Sequence, residues 1–462
     1  MTNAILAYAS YLPSWRVDPA GRGTARRIVA SFDEDAITMS VAAARSLRAA
    51  ESARSLVLAT SSPAYLDKTN ATTVHAALGL DRRIPASDAI GTARSTLAAV
   101  RAAVAGQGAL IVAADVRTGR PGSADERTGT DAAAAVLIGA ATPEQPAIAE
   151  VLATVSLTEE FLDRWRSPAE PSASSWEERF GYEQYAPLVR EAATAALDAA
   201  GVAQADHVVL TGSNSAITKR ASTLVKGVLS TGGSPVGFAG AVDPLLGLAA
   251  VLDEAGPAET ILLISAADGV DATVLRTTTA LSAHRQPEPV AAAAAADGRM
   301  VPYPTYLSWR GLLDMEPPRR PEPDRPAGPP SARAAGWKFA LTGNRCSACG
   351  FLHVPPMRVC RACGVADQSE PVSVRDRGGR IATFTVDRLA YSPSPPVVDV
   401  VVDFDGGGRA TFEVADAAPE ALGVGGEVTM VFRRLFTAGG VHNYFWKARQ
   451  VPAAADTSGE EN

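Results

Sequence analysis

The stretch "CSACGFLHVPPMRVCRACG" holds all four cysteines of the chain, Cys346, Cys349, Cys360 and Cys363. The spacing is C-x2-C, a short loop, then C-x2-C. Two such pairs can close a tetrahedron of thiolates around Zn²⁺, each pair forming one knuckle. Two disulfides or a redox pair would use the same residues, but a cytoplasmic chain with this double spacing favours the metal. The four cysteines are read as ligands of a structural zinc ribbon with no open coordination position. His353, between the knuckles, is superfluous as a fifth ligand and is read as a surface or packing residue. The pattern also excludes something: residues 1–345 contain no cysteine, so chemistry there cannot run through a thiolate.

At 462 residues the chain is too long for one ordinary core. Its net charge of −7, with no basic stretch, argues against nucleic acid as a partner. No apolar run reaches membrane-spanning length. The start, "MTNAILAYASYLPSWRV", lacks the basic and apolar regions of a signal peptide. The expectation is a cytoplasmic protein with no nucleic-acid and no membrane partner.

The proline-rich stretch "MEPPRRPEPDRPAGPP" (315–330) divides the chain and reads as a stiff extended linker without helix or central strand. Before it, short apolar runs such as "SLVLATSS", "GALIVAADV", "HVVLTGSN" and "TILLISAADG" alternate with alanine-rich amphipathic segments. That is an α/β pattern with buried strands. The pattern repeats. "SLVLATSS" is similar to "HVVLTGSN", and "STLAAVRAAVAGQGALIVAADV" to "LGLAAVLDEAGPAETILLISAADG", both offset by about 150 residues. Two α/β halves in one chain predict a pseudo-twofold sandwich whose equivalent helices meet in the middle. After the cysteines, alternating strands joined by glycine turns fit a β-barrel of OB type. It lacks the basic, aromatic-studded face of a single-strand binder. The ending "PAAADTSGEEN" reads as disordered.

The stretch "ASDAIGTARSTLAAV" (86–100) comes after a proline and runs into a small-residue helix pattern. Asp88 is therefore placed at the N-terminus of the first half's central helix, where a carboxylate either caps the helix or does chemistry. "GFAGAVDPLLG" (237–247) holds the matching place in the second half, with Asp243 just before Pro244.

Residues 1–314 resemble the thiolase superfamily, and within it the archaeal-type hydroxymethylglutaryl-CoA synthases. The carriers are "DEDAITMSVAAARSL", "SSPAYLDKTNATTVHAALG", "SDAIGTA", "ADVRTGRPGSADERTGTDAAAAVLIGAA" and "PLLGLAAVLDEAGPAETILLISAADG". The cysteine stretch and the strands after it resemble the zinc-ribbon/OB-fold accessory proteins of such enzymes. The resemblance implies a duplicated five-layer α-β-α-β-α sandwich (1–314), a Pro-rich linker (315–335), a rubredoxin-like zinc ribbon (336–370), an OB barrel (371–452) and a tail (453–462). It also implies an acyl-CoA (a coenzyme A thioester) as substrate or ligand, and a homodimer.

The same resemblance lays the family's nucleophilic cysteine on Asp88, its catalytic glutamate on Ser61 and its histidine on Thr211. The asparagine after that histidine is kept as Asn214. A second family asparagine falls on Phe238, and a nearby serine position on Asp243. Two readings are open, of which the first is the expectation and the second the alternative. In one, Asn214 and backbone N–H groups polarise a thioester while Asp88 or Asp243 moves a proton. That would suit aldol or retro-aldol chemistry, hydration or decarboxylation without an acyl-cysteine. In the other, the chain is a catalytically silent partner of a cysteine-bearing thiolase-type subunit. Lys219 and Arg220 lie where the family approaches CoA and are candidates for its phosphates, or simply a solvated helix face. His75 is read as packing.

Overall fold

The computed structural model describes residues 3–19, 21, 26–47, 50–225, 229–231 (backbone only), 236–316, 319, 321 and 323–451. The chain divides into two compact units, residues 1–314 and 315–462.

In the first unit, strands β1 (Ala4–Tyr11), β2 (Leu56–Thr60), β3 (Ala86–Ile90), β4 (Ala109–Asp115) and β5 (Ala132–Gly139) form one half of a ten-stranded sheet. Strands β6 (Ala149–Leu157), β7 (His207–Gly212), β8 (Leu229–Thr231), β9 (Thr260–Ala266) and β10 (Val270–Thr277) form the other. The strand order is β8-β7-β9-β10-β6-β1-β5-β4-β2-β3. Each half has the same internal order, and the pairing of Ile5 with Ala149 joins them into one sheet. In both, the three strands nearest the outer edge run parallel and the other pairings are antiparallel. The repeat seen in the sequence is thus a repeat of topology.

Helices α1 (Ala36–Ser46), α2 (Ala71–Ala77) and α3 (Ala93–Ala105) belong to the first half. Helices α4 (Glu178–Ala200), α5 (Ser215–Lys219) and α6 (Asp243–Leu252) belong to the second. The central helices α3 and α6 pack together between the half-sheets. Leu97, Val100, Leu245, Leu246 and Leu248 share one core with Ile111, Val136 and Leu263 from the strands. On the outer face of the second half, Tyr185, Val189 and Ala193 of α4 pack on Leu210, Leu262 and Val274. Helix α1 covers the equivalent face of the first half, capped by a reciprocal Asp35–Thr38 box. The layers are therefore helix, sheet, helix pair, sheet, helix. Alanine dominates because close helix–sheet layers leave room for little else.

The linker expectation needs one correction. Helix α7 (Gly328–Arg333) forms inside 315–335, because Pro329 and Pro330 sit in its first turn, where a missing N–H costs nothing. Helix α8 (Ala335–Ala340) comes directly after it. Strands β11 (Thr342–Cys346), β12 (Leu352–His353) and β13 (Ser369–Ser373) make a three-stranded sheet that carries the cysteines. Strands β14 (Gly379–Asp387), β15 (Val397–Phe404), β16 (Arg409–Glu413), β17 (Glu427–Ala438) and β18 (Val441–Gln450) form a five-stranded sheet in the order β16-β15-β14-β17-β18. A Val414–Ala448 bridge ties its two edges together. Trp446, Phe432 and Phe412 fill its interior. The expected tail lies outside the described residues. Among the described residues no helix is long and apolar enough to cross a membrane.

Candidate functional site

In a sheet with parallel strands, ligands bind beyond the strands' carboxyl ends, where loops and helix N-termini converge. Strands β2, β4, β7 and β9 all deliver the chain to one such place. Ser61 follows β2, Arg117 follows β4, Ser213 follows β7, and Asp268 follows β9. Together with Thr92 and Ala93 at the start of α3 they line a cavity of about 460 Å³.

Asp115, the last residue of β4, holds this end of the fold together. Its carboxylate accepts hydrogen bonds from Thr60 Oγ1 (2.8 Å), Ser61 N (2.7 Å), Ser61 Oγ (2.6 Å) and Ala241 N (2.8 Å). It therefore joins β2, β4 and the turn before α6, across the two halves. That turn runs through Gly240 at φ +66°, and a Cβ there would come within 2.1 Å of Asp115 Oδ2. Only glycine fits.

Three arginines line the same cavity: Arg117, Arg164 and Arg166. The Arg117 guanidinium donates to Ser61 Oγ (3.0 Å) and lies 5.0 Å from the centre of the Phe238 ring. Arg164 stacks on that ring at 5.4 Å and grips Asp125 with both terminal nitrogens. Arg166 donates to the carbonyls of Glu170 and Ser61. Burial, and then the like charge of Arg164, pushes Arg117 below its ordinary pKa, against the pull of Asp115 and Asp125. A guanidinium nevertheless stays charged. This end of the cavity carries three cations, of which Arg117 lies beside Asp115 and Arg164 beside Asp125.

The residues expected to act do not meet there. Asp88 is not at the start of α3. It lies in β3, where Leu58 of β2 pairs with it, and the helix begins only after Gly91, with Thr92 as its cap. Sheet pairing took the stretch that local signals assigned to a helix terminus. The Asp88 carboxylate instead accepts from Asn70 N (2.7 Å), Asn70 Nδ2 (2.9 Å) and Ala71 N (2.7 Å), capping α2 from the neighbouring strand. The residue that opens the central helix and faces the cavity is Ala93.

Asn214 does not line the cavity. Its Oδ1 caps α5 through Ala216 N (3.1 Å), and its Nδ2 donates to the Glu178 carbonyl (3.0 Å). Asp243 is buried behind the cavity wall, 2% exposed. It does not cap α6; its carboxyl turns back to Ala239 N at 2.8 Å. Burial raises its pKa to about 7, although hydrogen bonds from Ala239 and Gly212 and the charge of Arg117 favour the ionised form. Lys219 bonds Ser215 Oγ (2.9 Å) at the exposed end of α5, and Arg220 lies over Tyr182. Neither lines the cavity. Thr211 is sealed in β7, bonding the Ile264 carbonyl. His75 contacts the Asp81 carbonyl at the surface.

Sequence reasoning missed Asp115 and the three arginines. The position of Arg117, just past an apolar run, was a usable signal. Arg164 lies in a two-residue strand, Arg164–Trp165, and Arg166 follows it, and nothing local marks them.

In the second unit the four cysteine sulfurs all lie within 4.8 Å of one another. The separations are 3.8 Å for Cys346–Cys363 and 3.6 Å for Cys349–Cys360. Thiolates at about 2.3 Å from a tetrahedral metal stand about 3.8 Å apart, whereas a disulfide needs about 2.05 Å. The donor set and its spacing fit a structural metal and not two disulfides. His353 is buried against Phe351, outside the cluster.

A duplicated five-layer sandwich with a cavity at the central helix defines a thiolase-type protein. Hydroxymethylglutaryl-CoA synthase from Archaeoglobus fulgidus is 32% identical over 324 residues, covering 62% of this chain and 92% of that protein. A DUF35 domain-containing scaffold protein from Methanothermobacter thermautotrophicus is 30% identical over 115 residues, covering 24% of this chain and 86% of that one. The family model for the ChsH2 C-terminal OB-fold domain matches residues 373–433. A crystal structure of HMG-CoA synthase complexed with CoA superposes with a TM-score of 0.56 at 14% identity, over 68% of this chain and 91% of that one. The chain belongs to the hydroxymethylglutaryl-CoA synthase family, with a DUF35-type OB segment fused behind the thiolase-type unit.

Proposed function

We propose that the first unit holds an acyl-CoA noncovalently in the cavity at the start of α3, as the binding half of a scaffold-type subunit. The observation that carries this is the identity of the residues at the cavity. Ala93 opens the helix, Ser61 follows β2, and no thiolate exists before Cys346. An acyl-cysteine cannot form there. Asp88 and Asn214 are both committed to capping helices, and the carboxylate that does line the cavity, Asp268, accepts from Thr92 Oγ1 at 3.1 Å.

The family relationship supports the CoA ligand, and the name of the DUF35 relatives supports a scaffold role. The partner would be a second copy of this chain or a thiolase-type subunit that keeps its cysteine. Lys219 and Arg220 are proposed for the CoA phosphates: Ser213 lines the cavity, and α5 carries the chain on from there to both cations. Cys346, Cys349, Cys360 and Cys363 would hold one Zn²⁺, which fastens the knuckles and has no open position for a reactant.

One observation favours a catalytic alternative, a noncovalent aldol or retro-aldol reaction. Asp243 changes protonation near pH 7 just behind a wall made by Gly212, Gly240 and Ala241. Calorimetry and product mass spectrometry over a broad acyl-CoA panel test both readings. Binding without turnover, and without acyl mass on residues 1–345, is expected. Turnover abolished by Asp243→Asn with the melting temperature unchanged would replace the scaffold reading by the catalytic one. No binding of any ester would overturn both.

A further inference from the structure

His353 is buried beside the cysteine cluster but is not one of its four donors. Strand β12 fixes it. Its backbone pairs with Asn344 of β11, and the Phe351 ring lies 4.8 Å from the imidazole, centre to centre. Gly343 packs so closely that a Cβ there would come within 2.4 Å of the His353 carbonyl oxygen. Cys346 N donates to the Phe351 carbonyl at 2.9 Å, which ties the start of β12 to the first cysteine pair.

The imidazole is 3% exposed, and among the described residues its Nε2 has no hydrogen-bond partner. A polar atom buried in this way forfeits its hydration and gains nothing in return, so such atoms are rare in folded proteins. The side chain lies within hydrogen-bonding reach of Cys360, the first cysteine of the second pair. A neutral thiol is a weak acceptor. A metal-bound sulfur is a thiolate, and hydrogen bonds to an ionised acceptor are about twice as strong as those between neutral groups. The acceptor that Nε2 lacks is thus one that metal binding would create.

We propose that His353 is a positioning residue of the metal site, whose Nε2–H donates to the Cys360 thiolate when the metal is bound. Four thiolates around a divalent cation leave an excess of negative charge, and a donated hydrogen offsets part of it. The bond would also join the two cysteine pairs, because β12 continues from the first and Cys360 opens the second. The proposal rests on the structural-metal reading of the cluster and is independent of the acyl-CoA reading of the first unit.

The test uses the full chain loaded with an NMR-active cadmium isotope in place of zinc, with its five histidines labelled at nitrogen. The expected result is one imidazole protonated at Nε2, whose proton shows scalar coupling to cadmium through the thiolate sulfur. Metal affinity is read by competition with a chelator. His353→Phe keeps a buried ring and removes the donor; it should weaken metal binding about tenfold or more. His353→Gln, whose amide can donate, should recover part of the loss. The thiolate-to-metal charge-transfer band of the Co²⁺-loaded protein should shift in His353→Phe and move back in His353→Gln. The coupling is measured in the wild type and decides the matter even if His353→Phe fails to fold. A His353 ring protonated at Nδ1, or an Nε2 proton without coupling to cadmium, overturns the proposal and leaves the metal site standing. Equal affinities and unshifted bands in all three proteins do the same. A native chain that binds no metal through its thiolates removes the metal reading, and this proposal with it.

Discussion

The cysteine cluster and the arginine-lined cavity are both polar constellations, but they are assembled in opposite ways. The cluster comes from one short segment, Cys346 to Cys363, whose knuckles bring the sulfurs within 4.8 Å. The cavity draws Ser61, Ala93, Arg117, Arg164, Phe238 and Asp268 from both halves of a duplicated fold. The first is specified by spacing along the chain. The second exists only once ten strands have found their order. The cluster is therefore vulnerable through its own ligands, and the cavity through residues that never touch a ligand.

The largest effect should come from the cluster. Cys346→Ser, or chelation, is expected to release the metal and unfold the cysteine-bearing sheet, because metal binding there carries on the order of 10 kcal/mol of folding free energy. Acyl-CoA binding by the first unit should survive. Metal analysis and two-transition calorimetry check this; well under one zinc per native chain would sink it.

Next comes Gly240→Ala. The new Cβ would strike Asp115 Oδ2 at a backbone angle that only glycine adopts freely. Destabilisation of about 4 kcal/mol is expected from combined overpacking and strain, with loss of acyl-CoA binding and an intact metal site. Unchanged denaturation midpoints would show that the two halves are not tied through Asp115.

A third expectation concerns pH. The folded pKa of Asp243, about 7, stands above its ordinary 3.8, so the folded state holds the proton more tightly than the unfolded chain. The contribution to stability is complete below 3.8 and is lost as pH rises through about 7, on the order of 4 kcal/mol in all. Denaturant titrations at several pH values should show this slope in the wild type and not in Asp243→Asn. A slope of equal size in both proteins would refute the assignment.

The smallest effect is Asp88→Asn. The amide oxygen can still accept from Ala71 N, but the new NH2 would face Asn70 N and Nδ2, so the cost should be about 2 kcal/mol, with acyl-CoA binding unchanged. A large loss of binding at constant stability would return Asp88 to the site.

Much of the fold was legible. The apolar runs became strands, the repeat became two half-sheets of matching order, and α3 and α6 meet in the middle as the repeat implied. The site was legible only in part. Ser61 was placed correctly at the end of β2, yet Asp88 was assigned to a helix terminus that begins five residues later, at Ala93. A proline before it and an acid in it are local helix signals. They lost to a parallel pairing with Leu58, which no short window contains. Asn214 kept a residue type without a free donor, because its amide is consumed within its own helix and by α4.

Whatever depends on neighbours along the chain could be read from the sequence alone: the four-thiolate set, the absence of any thiolate before it, the strand and helix periods, and the duplication. Which side chains face the cavity, and which are used up, was settled by tertiary structure. A hydrogen-bonding group binds a ligand only if the fold has not already satisfied it. Asp88 is satisfied by backbone N–H groups at the start of α2, Asn214 by its own helix and the Glu178 carbonyl, and Asp243 by Ala239 N, while Arg117 and Arg166 line the cavity.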